Sequence, residues 1–497
     1  MARKRYLYLA AAMIFMLLCL HGCAEPIETI PPNETVYTYT LSASTPEELL
    51  VLNQYPNLTD VDLSGSDCYS DIIAFIEENP NVTVTYDVQI GQERYPHTTV
   101  EILLEDGSYE VDQVVSALPF LTKLQTVSLP KTSLTADELH NIKQAVPQAL
   151  ITYSVMLFEE EIPADSQSLD LSWLKPEHVE EACKIITLLP QLKNVCLIDE
   201  SGLSALSIED VSKLMDAVPE VSFEYSFELF GEQFTTEDER MEFVMTRIGN
   251  DGAQQIRQAL NIMPKCSYLK VDRCGVDSEV MASIREDYPN VKVVWRIFFG
   301  KFNCLTDEEM LRLTNGLKDE HIEQLKYCND VKYLDIGHDD ELTDISFIKY
   351  MPKLEICIMS GSIVEDLSPF QDHQNIEFLE LCFCMRIKDI SPLANCPNLK
   401  YLNISFTSVS DISATENLPM GRFVAMGLKI DSASQAKFIQ LHPDSLYRFE
   451  GQQCYGYAWR YDDYGYTFSD YYANMRVIFN YEDVGYYSGQ GIYDWGY

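Results

Sequence analysis

The residue types that carry catalysis or hold metals are present in this chain, but they are dispersed. The eight histidines are His21, His97, His140, His178, His321, His338, His373 and His442, and none lies near a second histidine or a cysteine at metal-ligand spacing. His338-Asp339-Asp340 is the one local group able to hold a divalent cation, and its middle residue is also wanted as a backbone acceptor in a repeating turn. There is no G-x-S-x-G elbow, no H-E-x-x-H helix, no phosphate-cradling G-x-x-x-x-G-K and no G-x-G-x-x-G. The expectation is a protein without catalytic residues, without a metal and without a cofactor. Fourteen cysteines lack any C-x-x-C pair, the closest two being Cys382 and Cys384, so zinc-ribbon and thioredoxin-like chemistry is not indicated.

One cysteine is placed for a different reaction. Arg3, Lys4 and Arg5 precede an apolar run from Tyr6 to Leu20 that is short for a membrane span, and a small-residue site follows it. Leu20-His21-Gly22-Cys23 resembles the lipobox of bacterial lipoproteins, with an aliphatic residue, a permissive position, a small residue and then cysteine. The resemblance implies that residues 1–22 are a signal peptide, that the Cys23 thiol receives a diacylglycerol, and that the protein is extracytoplasmic and lipid-anchored to the cell membrane. An ordinary secretory signal beside a chance cysteine is the alternative. No later stretch reaches about 18 apolar residues, so the lipid is the expected membrane contact. Pro26, Pro31 and Pro32 mark a tether over residues 23–45. The twelve cysteines that remain after Cys19 and Cys23 stand largely at apolar positions and read as core filling, although an exported protein could form one or two bridges.

The net charge is −41, or −44 without the three basic residues of the leader. Such a surface repels nucleic acid and anionic polymers and leaves proteins, neutral glycans and cations as partners. Hydrophobic content of 46% over 497 residues is enough for a large core.

Internal repetition sets the architecture. Between Val331 and Leu418, Asp344-Ile345-Ser346, Asp366-Leu367-Ser368, Asp389-Ile390-Ser391 and Asp411-Ile412-Ser413 recur at spacings of 22, 23 and 22. Each follows an apolar comb: Val331/Leu334/Ile336, Leu354/Cys357/Met359, Ile376/Leu379/Leu381 and Leu399/Leu402/Ile404. The L-x-x-L-x-L form resembles the short leucine-rich repeat of bacterial surface proteins such as the internalins. The position that the family reserves for a ladder of backbone-bonding side chains holds Asp339, Ser362, Cys384 and Thr407, a departure from asparagine that implies a less regular ladder.

Longer units precede these. Pro56, Pro119, Pro190 and Pro264, spaced 63, 71 and 74 apart, each introduce a strand such as Leu124-x-x-Val127-x-Leu129. A helix follows each, as at Thr135 to Leu139, where Thr135 can cap. Second strands end in an aromatic element at Tyr86, Tyr153, Tyr225 or Trp295 and turn near Gly91, Gly231 or Gly300. The predicted fold is an α/β leucine-rich-repeat solenoid: a curved parallel sheet, helices on its outer face and a Tyr-rich C-terminal cap or tail. Long repeats occupy 46–310, short repeats 311–449 and the Tyr-rich end 450–497, which has twelve tyrosines in 48 residues.

In such repeats the residues between the comb positions face the concave side. Their columns are Tyr333, Ile356, Phe378, Tyr401; then Asp335, Ile358, Glu380, Asn403; then His338, Gly361, Phe383, Phe406. Aromatics flanked by acids suit a protein- or glycan-binding patch, so Tyr333, Asp335, Phe378, Glu380, Tyr401, Asn403 and Phe406 are the expected ligand-binding residues. The Tyr-rich end has three readings: a cap for the solenoid, a binding surface of its own, or a cover over this concave face, in which case the aromatics are core. Residues 485–497 read as a mobile tail. The expected function is non-enzymatic recognition or adhesion at the cell surface. An envelope scaffold is the alternative, and a surface hydrolase a more distant one.

Overall fold

The computed structural model describes residues 36–451, 454, 459–461 and 468–481. The signal peptide, Cys23 and the tail from Gly485 lie outside the described residues. The chain divides into two units. One comprises residues up to Asp170 with Lys175–Val195 and Lys213–Ser222; the other comprises Leu171–Leu174, Cys196–Ser212 and the chain from Phe223 on.

The first unit begins earlier than its composition suggests. Thr38–Thr40 pairs in parallel with Asp60–Asp62, which pairs with Thr83–Thr85. The Thr-Tyr-Thr alternation supplies one inward residue, Tyr39, opposite Val61. The strand therefore takes the end of the stretch expected to be tether. A second sheet aligns Glu101–Leu103, Thr126–Thr132 and Leu150–Leu157 in parallel, with Ile102, Val127 and Ile151 in register. Helix Ala136–Ala145 follows the middle strand. Its Thr135 side chain accepts from the Glu138 amide at 3.3 Å while the Glu138 carboxylate accepts from the Thr135 amide at 2.8 Å.

The long units are not purely parallel. Each second strand folds back as an antiparallel hairpin: Asp87–Ile90 on Glu93–Pro96 and Leu150–Leu157 on Glu160–Pro163 in the first unit. In the second unit Ser226–Leu229 pairs with Glu232–Thr235 and Lys292–Phe299 with Phe302–Leu305. The reversal is dictated at the turn. Gly91 has φ +60°, and a Cβ there would lie 2.3 Å from the Ser108 carbonyl, so neither its backbone nor its surroundings accept a side chain. The aromatic before each hairpin, buried at Tyr86, Tyr225 and Trp295 and half-buried at Tyr153, finds a partner for its polar end. Tyr86 Oη donates to the Phe120 carbonyl (2.8 Å) and Tyr153 Oη to the Leu188 carbonyl (2.5 Å). In the second unit Tyr225 Oη donates to the Leu206 carbonyl (2.9 Å) and Trp295 Nε1 to Ser278 Oγ (3.2 Å).

The second unit also holds Arg240–Val244, Tyr268–Asp272 and Lys292–Phe299 as parallel strands. It then carries a seven-stranded parallel sheet: Met310–Arg312, Tyr333–Asp335, Ile356–Ile358, Phe378–Glu380, Tyr401–Asn403, Arg422–Val424 and Leu446–Arg448. The comb residues Leu334, Cys357, Leu379 and Leu402 are wholly buried beneath it. The outer face of the short repeats carries 3-10 turns such as Ser346–Tyr350, Ser368–Phe370 and Ser391–Asn395, while the unit between Arg422–Val424 and Leu446–Arg448 carries the α-helix Ser432–Leu441. The recurrent Asp-x-Ser starts each turn. Asp344, Asp366, Asp389 and Asp411 accept from the amide two residues on, at 2.7, 2.8, 2.8 and 2.8 Å.

Just past each strand the chain turns through the left-handed region at the same repeat position: His338 (φ +63°), Gly361 (+73°), Phe383 (+63°), Phe406 (+57°) and Gly427 (+73°). The amides of the first four donate to the carbonyls of Ser360, Cys382, Ser405 and Met426 in the next repeat, which holds the unfavourable backbone in place. The Phe383 and Phe406 rings stack at 4.8 Å.

Candidate functional site

The sheet register brings the expected ligand-facing residues together. Met310, Tyr333, Ile356, Phe378, Tyr401, Arg422 and Leu446 form one cross-strand column. Arg312, Asp335, Ile358, Glu380, Asn403, Val424 and Arg448 form the next. Phe406 follows in the left-handed turn.

These side chains do not form an open patch. Asp335, Phe378, Glu380 and Asn403 are 4%, 2%, 0% and 0% exposed, and Tyr333, Tyr401 and Phe406 are half-buried. The cover is the chain's own C-terminal segment. Trp459, Tyr472, Met475 and Phe479 pack on Ile358, Phe378, Val424 and Met426 as one apolar cluster. Trp459 stacks on Phe378 with ring centroids 4.8 Å apart, and Tyr471 stacks on Tyr401 at 4.9 Å. Of the three readings of the Tyr-rich end, its described part is thus the cover. The physical reason is that the outward columns are themselves apolar and aromatic, and helix Asp470–Ile478 brings a matching face.

The acids of the face are satisfied by the same segment. Glu380 accepts from Ser360 Oγ at 2.6 Å, Trp459 Nε1 at 2.5 Å, Arg460 Nε at 3.2 Å and Arg460 Nη2. Arg460 is itself 4% exposed, so this is a fully desolvated charge pair. Asp335 accepts from the Gly337 amide (3.0 Å) and Tyr481 Oη (2.8 Å); burial pushes its carboxyl above the usual range. The Arg312 guanidinium lies 5.0 Å over the Tyr481 ring. Asn403 donates from Nδ2 to the Cys454 carbonyl (3.0 Å) and accepts from the Ser405 amide (3.0 Å). Arg422 donates to the Trp459 carbonyl at 3.3 Å. An acid between apolar residues on that face, as at Glu380, is a sequence signal that a donor meets it, and Trp459-Arg460 is the match that reasoning within the repeats missed.

The ladder positions are partly connected. Ser362 Oγ lies 3.3 Å from Cys384 Sγ, and Cys384 Sγ lies 3.1 Å from the Met359 carbonyl. Thr407 Oγ1 donates back to the Ile404 carbonyl at 2.8 Å. Asp339 Oδ1 accepts from the amides of Gly316 (2.5 Å) and Leu317 (3.0 Å), so this carboxylate serves the backbone, and burial raises its pKa to about 6. Among the described residues no group of three or more His, Cys, Asp and Glu is arranged to hold a metal. All twelve described cysteines are free thiols; nine are buried, and Cys304 and Cys328 stand 3.8 Å apart at sulfur. No described helix is long and apolar enough to cross a membrane.

A cleft of about 570 Å³ lies in the first unit, walled by Asp67, Tyr69, Asp71, Gln89, Gln113 and Phe120. The Tyr69 and Phe120 rings meet at 5.3 Å, and Tyr69 Oη accepts from the Gln89 amide at 2.9 Å.

The family-model match falls on the short repeats. A family model described as Leucine Rich repeats (2 copies) matches residues 374–419. No curated protein sequence matches the chain. Among solved structures, an internalin (InlF) of Listeria monocytogenes aligns at 16% identity over 73% of this chain and 86% of that one, with a TM-score of 0.27. A leucine-rich-repeat protein of Leptospira interrogans aligns at 12% identity over 86% of this chain and 100% of that one, with a TM-score of 0.26. The chain is a leucine-rich-repeat solenoid of the α/β type.

Proposed function

We propose that this protein is a non-enzymatic recognition protein of the bacterial cell surface, anchored through a lipid on Cys23, that binds a polypeptide ligand on its concave face. The ligand-contacting set is Tyr333, Asp335, Phe378, Glu380, Tyr401, Asn403 and Phe406. The observation that supports this reading is that these residues already hold a polypeptide, the segment containing Trp459, Arg460 and Tyr472, through stacking and buried hydrogen bonds. An external ligand occupies the face in exchange for that segment. A protein-array screen identifies binders, and replacing Tyr333, Phe378 and Tyr401 together by alanine abolishes their binding while the fold persists. Binding that survives the triple substitution refutes the site. Replacing Cys23 by alanine releases the protein from membranes; continued membrane retention refutes the anchor.

The cleft at Tyr69 and Phe120 favours a second reading, a glycan ligand, because an aromatic pair beside amides and carboxylates suits a neutral sugar ring. A glycan-array signal lost in Tyr69→Ala and retained in the concave-face triple variant supports it.

A further inference from the structure

We infer that the concave face selects its ligand by one chemistry, an aryl N–H or O–H donor beside a guanidinium, and that the segment 454–481 is a built-in occupant displaying that chemistry. This rests on the proposed recognition role and states what the partner must look like. Four observations carry it. Glu380, with no exposed surface, receives an indole N–H and a guanidinium from adjacent residues, Trp459 and Arg460. Asp335 receives a phenol O–H from Tyr481. Phe378 and Tyr401 offer flat faces that Trp459 and Tyr471 cover. Asn403 and Arg422 donate to main-chain carbonyls, those of Cys454 and Trp459, which marks the occupant as polypeptide and tolerates variation in its other side chains.

The recognition is therefore divided. Aromatic stacking supplies burial, two buried acids supply selectivity, and two side-chain donors read the backbone. A ligand lacking the guanidinium would leave Glu380 buried with only its hydroxyl and indole partners, a penalty that rejects peptides without a cation at that position. The site so calls for an aromatic segment with one guanidinium placed against Glu380.

The occupant is covalently attached, so it competes at the effective concentration of a short tether, on the order of millimolar. The test weakens the resident segment and supplies it from outside. The full chain carrying Trp459→Ala and Arg460→Ala is titrated with a synthetic peptide of sequence 454–481, followed by anisotropy of a dye on the peptide. The expected result is saturable binding to this variant and at least about 100-fold weaker binding to the unsubstituted chain. Changing the peptide's arginine at position 460 to glutamate, or adding Glu380→Leu to the chain, abolishes it. Hydrogen exchange in strands Ile356–Ile358 and Tyr401–Asn403 reports that the variant remains folded. Absent binding to a folded variant overturns the inference, as does binding indifferent to the Arg460 or Glu380 change. If the peptide binds as expected but the array yields no external polypeptide, the proposed function falls and the chemistry of the face stands.

Discussion

Removing the Arg460 guanidinium is the sharpest test of how the concave face is closed. Glu380 has no exposed surface and four donated hydrogen bonds, two of them from Arg460. In Arg460→Leu the carboxylate keeps only Ser360 and the Trp459 indole. Leaving one member of a buried ion pair uncompensated costs about 3–5 kcal/mol. Burial of Trp459, Tyr472, Met475 and Phe479 opposes release, at about 1.5–3 kcal/mol for each side chain, or roughly 6–12 kcal/mol in sum. The aromatics outweigh the lost pair, so the cover stays docked but opens far more often. Because each 1.4 kcal/mol is a factor of ten, exchange of amides in helix Asp470–Ile478 should accelerate by about two to three and a half orders of magnitude.

The double variant Glu380→Leu with Arg460→Leu separates charge from packing. Replacing both members by apolar groups of similar volume is often neutral or stabilising, so exchange should return toward the original rate. Hydrogen exchange read by mass spectrometry over 468–481 decides the matter. An acceleration below about tenfold in Arg460→Leu, or a double variant as open as the single one, refutes the claim that this pair locks the cover.

Asp339→Asn keeps the acceptor for the Gly316 and Leu317 amides and removes a buried charge. Its folded pKa of about 6 lies above the ordinary 3.8, so the folded state binds the proton more tightly and stability contributed by the acid form fades as pH rises from about 4 through about 6. The asparagine variant should therefore be more stable above pH 6 by up to about 3 kcal/mol and indistinguishable near pH 4, as read by urea unfolding at both pH values. A thiol titration of the reduced native protein should label Cys68, Cys183 and Cys196 quickly and the nine buried cysteines only after unfolding. Fast labelling of Cys357 or Cys384 would contradict the packing. Thr135→Ala removes a capping acceptor and should destabilise the first unit by about 1 kcal/mol in thermal unfolding. No change in melting would show the cap to be idle.

Periodicity made the repeats legible because the comb is a local pattern: Leu334, Cys357, Leu379 and Leu402 each sit at the middle of their own three-residue strand and are wholly buried. The Asp-x-Ser turns were legible as punctuation for the same reason. The hairpins after Tyr86 and Trp295 were only half visible, since a glycine announces a turn but not the direction of the strand that leaves it. The start of the sheet at Thr38–Thr40 was hidden by the prolines just before it, and three residues are too few to show an alternation. The concave columns were read in their actual register, yet their exposure was not, because Trp459 meets Glu380 across 79 positions and Tyr481 meets Asp335 across 146. No window of local sequence contains both partners.

That long separation also bears on what the cover is for. A cap that merely shields an apolar end needs only apolar area, and any greasy helix would serve. This segment brings a donor to each acid it buries: indole and guanidinium to Glu380, phenol to Asp335. A buried ion pair adds little net stability over a well-packed hydrophobic pair. The Glu380–Arg460 pair is therefore better understood as selecting which segment docks and in which register than as strengthening the fold. Selection of that kind is what a recognition face needs. It makes the double leucine variant informative twice over: its cover should be held as tightly as before, and its face should have lost the ability to tell an aromatic peptide with a guanidinium at that position from one without it.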